Sequence, residues 1–192
     1  YTIPTPFGVS AQIVPWNFPL QIAARSVACA LATANTVVLK SPELSPLSTY
    51  FIGEACHRAG IPKGAVNILC GYGHDCGAAL VSHPDIDHIV FTGSVATGQS
   101  ILHAAAERVI PCVMELGGKS AGVLFKDADV DQAVNSTASG IFSHAGQVCS
   151  AQSRLIVPKA LQNEIIEKLV VKANSLSIGP GIDGHDLTPV IS

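Results

Sequence analysis

Over the first 115 residues, short β-branched runs alternate with segments of helical length, and this alternation limits the fold more than any other feature. The runs fall at 9–14, 36–39, 66–69, 88–91 and 109–114. Between them, 20–34, 47–59, 76–82 and 97–107 are long enough to be crossover helices that return the chain in parallel. Repeated βαβ units predict an α/β fold with a doubly wound, mostly parallel sheet of the Rossmann-like kind. Residues 36–39 and 89–91 run apolar without alternation, the pattern of strands covered by helices on both faces. Gly60 followed by Pro62 ends one helix, and Ser82-His83-Pro84-Asp85 stops another.

After Glu115-Leu116-Gly117-Gly118 the pattern restarts, with a strand at 121–125, a helix at 130–142 and a strand at 154–157. A boundary near Leu116 therefore divides a first domain, 1–115, from a second, incomplete α/β domain, 116–192. Leu161, Ile165, Ile166, Leu169, Val170, Ala173 and Leu176 form one stripe on a final helix, a face that needs a cover. Residues 179–184, rich in Gly and Pro, read as a loop, and the chain is expected to stop mid-fold.

Composition excludes several classes. Hydrophobic residues make up 48% of the chain and charged ones 13%, which is incompatible with disorder. A net charge of -3 offers no bulk attraction to nucleic acid. The longest nearly apolar stretch, 27–34, falls well short of the ~18 residues of a membrane span. No basic and apolar leader precedes Pro4, although an excised segment would look the same. Six cysteines without a CxxC pair are expected to be reduced thiols of a cytoplasmic protein. The seven histidines are scattered without zinc-ligand spacing, so no metal site is expected.

Three places could carry chemistry. Phe91-Thr92-Gly93-Ser94 follows a buried strand and opens a helix, with Gly98 five positions after Gly93. Free N–H groups and the positive dipole end there suit a pyrophosphate, though a plain strand-to-helix turn explains the spacing equally well. Lys40 and Glu43 follow the second strand, where open α/β sheets bind ligands. A carboxylate there suits a ribose diol and repels a ribose phosphate; a solvated loop charge is the plainer alternative. Cys149 lies in the polar segment Gly146-Gln147-Val148-Cys149-Ser150, whereas Cys29, Cys56 and Cys112 have apolar neighbours and are expected to be packed. Cys149 is thus the best nucleophile candidate, an unreactive thiol being the alternative. His144 is read as a surface or packing residue, and Glu115 as an acid facing an interdomain cleft.

Pro15-Trp16-Asn17-Phe18-Pro19, Val38-Leu39-Lys40-Ser41-Pro42-Glu43, Phe91-Thr92-Gly93-Ser94, Glu115-Leu116-Gly117-Gly118-Lys119-Ser120 and Gly146-Gln147-Val148-Cys149 together resemble the aldehyde dehydrogenase superfamily. The resemblance covers essentially the whole chain and implies an internal segment of a longer enzyme, with a dinucleotide-binding domain at 1–115 and the start of a catalytic domain at 116–192. It implies NAD(P)-dependent oxidation of an aldehyde to a carboxylic acid, with NAD as cofactor and NADP possible. By motif, Cys149 is the nucleophile, Asn17 stabilises the oxyanion, and Glu115 is the general base for thioester hydrolysis. Lys40 and Glu43 bind the adenosine ribose; Trp16, Gly93, Ser94 and Gly98 lie along the pyrophosphate, and Val14, Pro15 and Leu116 complete the cofactor contacts. Ser26 stands where many members carry a lysine linked to proton relay. The expected partners are a small aldehyde and further copies of the chain or the missing parts of the enzyme, with no nucleic acid or membrane. Semialdehyde, betaine-type and aliphatic substrates remain open. So do a coenzyme-A-acylating relative and a non-catalytic binding module.

Overall fold

The computed structural model describes residues 1–191 and divides them into two compact units, Tyr1–Leu116 and Gly117 onward. In the first unit, β1 (Val9–Ile13), β2 (Thr36–Lys40), β3 (Val66–Leu69), β4 (His88–Gly93) and β5 (Cys112–Leu116) form one sheet in the order β3-β2-β1-β4-β5. Every neighbouring pair is parallel. The chain winds outward from β1 to β3, then returns to the other side of β1 for β4 and β5. The β1–β4 junction is therefore the switch point at which such sheets open a crevice.

Helices α1 (Pro19–Ala32) and α2 (Leu47–Arg58) lie on one face, and α3 (Ala78–Ser82) and α4 (Val95–Ala106) on the other. Val37 and Leu39 of β2 are fully buried against Ala23, Val27 and Ala30 of α1, and Ile89 and Phe91 of β4 are buried with Ile101 and Ala105 of α4. Each such aliphatic side chain removed from water contributes roughly 1.5–3 kcal/mol. Helix α1 begins with Pro19, whose missing N–H has no partner to lose in a first turn. Arg108 ties the turn after α3 in place, its guanidinium donating to the carbonyls of Val81, Pro84 and Ile86 at 2.9–3.1 Å.

Three expectations need correction. The run at 109–114 is a strand only from Cys112, because Val109 takes a left-handed φ of 56° to close α4, and Pro111 follows. The helix expected from residue 76 opens with a wide turn, Gly73–Gly77, before α3. Cys29 is exposed, while Cys56 and Cys112 are partly buried. Cys29 lies off the buried stripe of α1 formed by Ala23, Ser26, Val27 and Ala30, so apolar neighbours in sequence do not cover it.

The second unit contains β6 (Ala121–Val123), α5 (Val130–Phe142), β7 (Arg154–Ile156) and α6 (Gln162–Asn174), with β6 and β7 parallel. Asp129 caps α5 by accepting from the Gln132 N–H at 2.9 Å. Helix α6 packs on α5 and buries Ile165, whereas Ile166 and Val170 of the expected stripe face solvent. After α6, Asp186 accepts from the N–H and hydroxyl of Ser177, at 2.9 and 2.8 Å, closing the loop at 177–187.

Candidate functional site

The carboxyl ends of β1, β2 and β4 place charged groups and a helix terminus at the switch point. Lys40, the last residue of β2, is 2% exposed, and its ammonium donates to Glu43 at 2.5 Å. Burial raises the Glu43 carboxyl, but the Lys40 hydrogen bond, its charge and backbone N–H groups, including that of Gly73, bring the net value below the ordinary one. Glu43 is thus held ionised beside Gly73, with Oε1 3.9 Å from where a Cβ at 73 would stand. The Glu43 side chain is 41% exposed, so the carboxylate remains reachable from solvent.

Gly73 and Gly77 of the wide turn, Ala78 of α3, and Ala96 and Thr97 of α4 line a groove of about 590 Å³. Its small side chains leave a slot suited to a flat ring. At its edge Ser94 caps α4, its hydroxyl accepting from the Thr97 N–H at 3.2 Å, while the first N–H groups of the helix have no partner within it. Gly93 is half-buried, and a Cβ there would meet the Phe91 ring at 2.5 Å. Gly98 is turned toward Leu116, where a Cβ would stand 2.8 Å from the leucine methyl. What Gly98 secures is the close seat of α4 on the sheet, and so the position of its N-terminus. Carboxylate, slot and helix terminus together match the ribose, base and phosphate of a nucleotide.

Val14 is buried in the segment after β1, Pro15 and Trp16 are half-buried beyond it, and the Trp16 carbonyl accepts from the Ser45 hydroxyl at 3.0 Å. That bond ties the ends of β1 and β2 together. Asn17 sits half-buried in the bend before α1. Glu115 is exposed near the end of β5, in register with Thr92 of β4. The groove residues at 73–78 and 96–97 escaped the sequence reading, although the cluster of glycine and alanine at 71–79 was a usable signal.

In the second unit, Cys149 is exposed in a tight turn closed by the Ala151 N–H donating to the Val148 carbonyl at 3.0 Å. Three consecutive left-handed residues precede it: His144, Ala145 and Gly146, with φ of 56°, 54° and 74°. Gly118 lies near the Cys149 carbonyl, where a Cβ would stand at 3.8 Å. Cys29 and Cys70 are also exposed, so exposure does not single out Cys149; its place after a strained turn does. Among the described residues no group of three or more His, Cys, Asp or Glu gathers as metal ligands, and no helix is long and apolar enough to cross a membrane.

Comparison with known proteins bears directly on this arrangement. The chain is 45% identical over 193 residues to a peroxisomal aminoaldehyde dehydrogenase of Pisum sativum, covering all of this chain and 38% of that protein. It is 45% identical over 188 residues to the chloroplastic betaine aldehyde dehydrogenase of Beta vulgaris, covering 97% of this chain and again 38% of the relative. The NAD+ complex of an aldehyde dehydrogenase from Bacillus cereus superposes with a TM-score of 0.95 at 41% identity, over 98% of this chain and 38% of that one. The chain thus spans 38% of the length of these relatives. The aldehyde dehydrogenase family model matches residues 1–192, and the chain belongs to that family.

Proposed function

We propose that this chain forms the nucleotide-binding and nucleophile-bearing part of an enzyme that oxidises an aldehyde to a carboxylic acid with NAD. The observation that carries the reading is the pairing of buried Lys40 with the solvent-reachable Glu43 carboxylate beside the Gly73 groove at the switch point. Glu43 accepts from the two hydroxyls of the adenosine ribose, Lys40 holds it in position, and the α4 N-terminus takes the pyrophosphate. A ribose phosphate would meet the Glu43 charge, which favours NAD over NADP. When bound, the nicotinamide supplies a hydride acceptor.

The chain's own residues supply the remaining steps. The Cys149 thiolate adds to the aldehyde carbonyl, and the Asn17 amide with the Cys149 N–H stabilises the oxyanion. Glu115 then removes a proton from water, whose oxygen attacks the thioester; the acid leaves and Cys149 is regenerated. Retention of Glu115 favours water over coenzyme A as the acyl acceptor. The names of the Pisum and Beta relatives favour amino- or ammonio-aldehydes as substrates.

Calorimetric titration with NAD and NADP tests the groove, with tighter binding of NAD expected and a narrowed preference in Glu43→Gln. Peptide mapping after exposure to an aldehyde-mimicking electrophile tests the nucleophile. Labelling should concentrate on Cys149; faster labelling of Cys29 or Cys70 with Cys149 untouched would refute the assignment.

A further inference from the structure

Two glycines of the second unit stand where the backbone does not require them. Gly140 lies inside α5 and Gly122 inside β6, and neither takes a left-handed φ. Glycine within a helix or strand destabilises it relative to alanine, so what these positions gain is space and not conformation. One residue fills that space. A Cβ at 140 would stand 2.9 Å from Cδ of Gln152 and 3.0 Å from its Oε1, and a Cβ at 122 would stand 2.9 Å from the same oxygen. The amide of the half-buried Gln152 thus lies in a slot walled on one side by a helix and on the other by a strand.

Gln152 belongs to the segment that carries Cys149, three residues further along the chain. Its N–H donates at 3.1 Å to the carbonyl of Gly140, which lies in the last turn of α5, where helix carbonyls lose their ordinary donors. Between the two residues the backbone is tightly folded. The Ala151 N–H donates to the Val148 carbonyl at 3.0 Å and the Ser153 N–H to the Ala151 carbonyl at 2.8 Å. The strand β7 begins two residues after Gln152, at Arg154, whose guanidinium donates twice to the Lys119 carbonyl, at 3.0 and 2.6 Å. Through its backbone, Gln152 is fixed to α5 by a single hydrogen bond, about which a turn can still pivot. Its side chain, seated between Gly122 and Gly140, removes that freedom.

On the reading that Cys149 is the nucleophile, we infer that Gln152 is a positioning residue for its thiol: the side chain in the slot sets the turn that presents the sulfur to the carbonyl carbon. Orientation of this kind acts on rate, since a small misplacement of a reacting atom costs far more in turnover than in binding. The fit is one of shape, so an unbranched side chain of similar length serves in place of glutamine.

Kinetics of the enzyme and labelling by iodoacetamide test this together. Gln152→Ala, which empties the slot, and Gly140→Ala, which puts a methyl group into it, should each lower kcat for aldehyde oxidation about tenfold and leave KM within about twofold. Each should also slow alkylation of Cys149 severalfold. Gln152→Met should bring both rates to within about twofold of the parent. Because the two alanine substitutions displace the same side chain, the double variant should be no slower than either single one. Gly140→Ala raises helix propensity, so it should melt no lower than the parent and separates positioning from loss of fold. Parental kcat and labelling in Gln152→Ala and Gly140→Ala would overturn the positioning role, as would losses that multiply in the double variant. Cys149→Ala tells this role apart from the reading beneath it. Parental turnover there overturns the nucleophile and the positioning role together; lost turnover there, with parental rates in Gln152→Ala, overturns the positioning role alone.

Discussion

The strand ends of the first unit and the Cys149 segment of the second hold their functional groups in opposite ways. Lys40 belongs to a β-ladder, is buried and is paired, and Ser94 caps a regular helix seated closely on the sheet through Gly98. Cys149 is exposed and follows three left-handed residues, two of which are not glycine. Left-handed backbone costs a residue with a Cβ roughly 1–2 kcal/mol. Binding groups are thus carried by regular elements whose own hydrogen bonds hold them, while the candidate nucleophile rides on a segment that stores strain.

The sharpest way to break this contrast is to damage each region and read both functions. Cys149→Ala should lower turnover by roughly 10³-fold or more, the scale of a lost nucleophile, and leave NAD affinity unchanged by calorimetry. Lys40→Met should weaken NAD binding by about tenfold, near 1.4 kcal/mol, and leave the rate of Cys149 labelling unchanged. If Lys40→Met slowed labelling as strongly as it weakened binding, the two regions would not be separable.

A smaller effect concerns acid. The folded Glu43 carboxyl lies below its ordinary value of 4.5, so the stability it contributes is present above that value. It is lost as pH falls through the lowered folded value. Denaturation of the parent and of Glu43→Gln should therefore differ near neutrality and converge in acid; a difference that persisted in acid would mean the pair does not act through ionisation.

The smallest expected changes come from the strained positions themselves. Val109→Gly should stabilise the first unit by about 1 kcal/mol, since the exposed valine holds the left-handed φ that closes α4 and glycine adopts that backbone without strain, and labelling should not change. Ala145→Gly relieves the same kind of strain beside Cys149 and should slow its labelling severalfold as the turn loses definition. Equal labelling in the two variants would show that the strain plays no part in presenting the thiol.

Much of this was legible from local pattern. The apolar run at 36–39 marked a covered strand, Gly60 and Pro62 marked a helix end, and the acid after the second strand was found before its partner was known. Other features were not legible, because they depend on which elements become neighbours. Gln152 reads as an ordinary polar residue until the fold sets its amide between Gly122 and Gly140. Cys29 looked packed because its neighbours are apolar, yet helix geometry turns it off the buried stripe. Val109 looked like the start of a strand because β-branching was weighed without the backbone that closes α4.

The sequence by itself determined the succession of strands and helices, the turn chemistry that separates them and the residue types able to do the chemistry, because propensity, capping and periodicity act over a few residues. Tertiary structure decided the strand order, the burial of Lys40 against Glu43, the groove between the wide turn and α4, and the slot that seats Gln152. These depend on pairings between residues far apart in the chain, and only packing chooses among them.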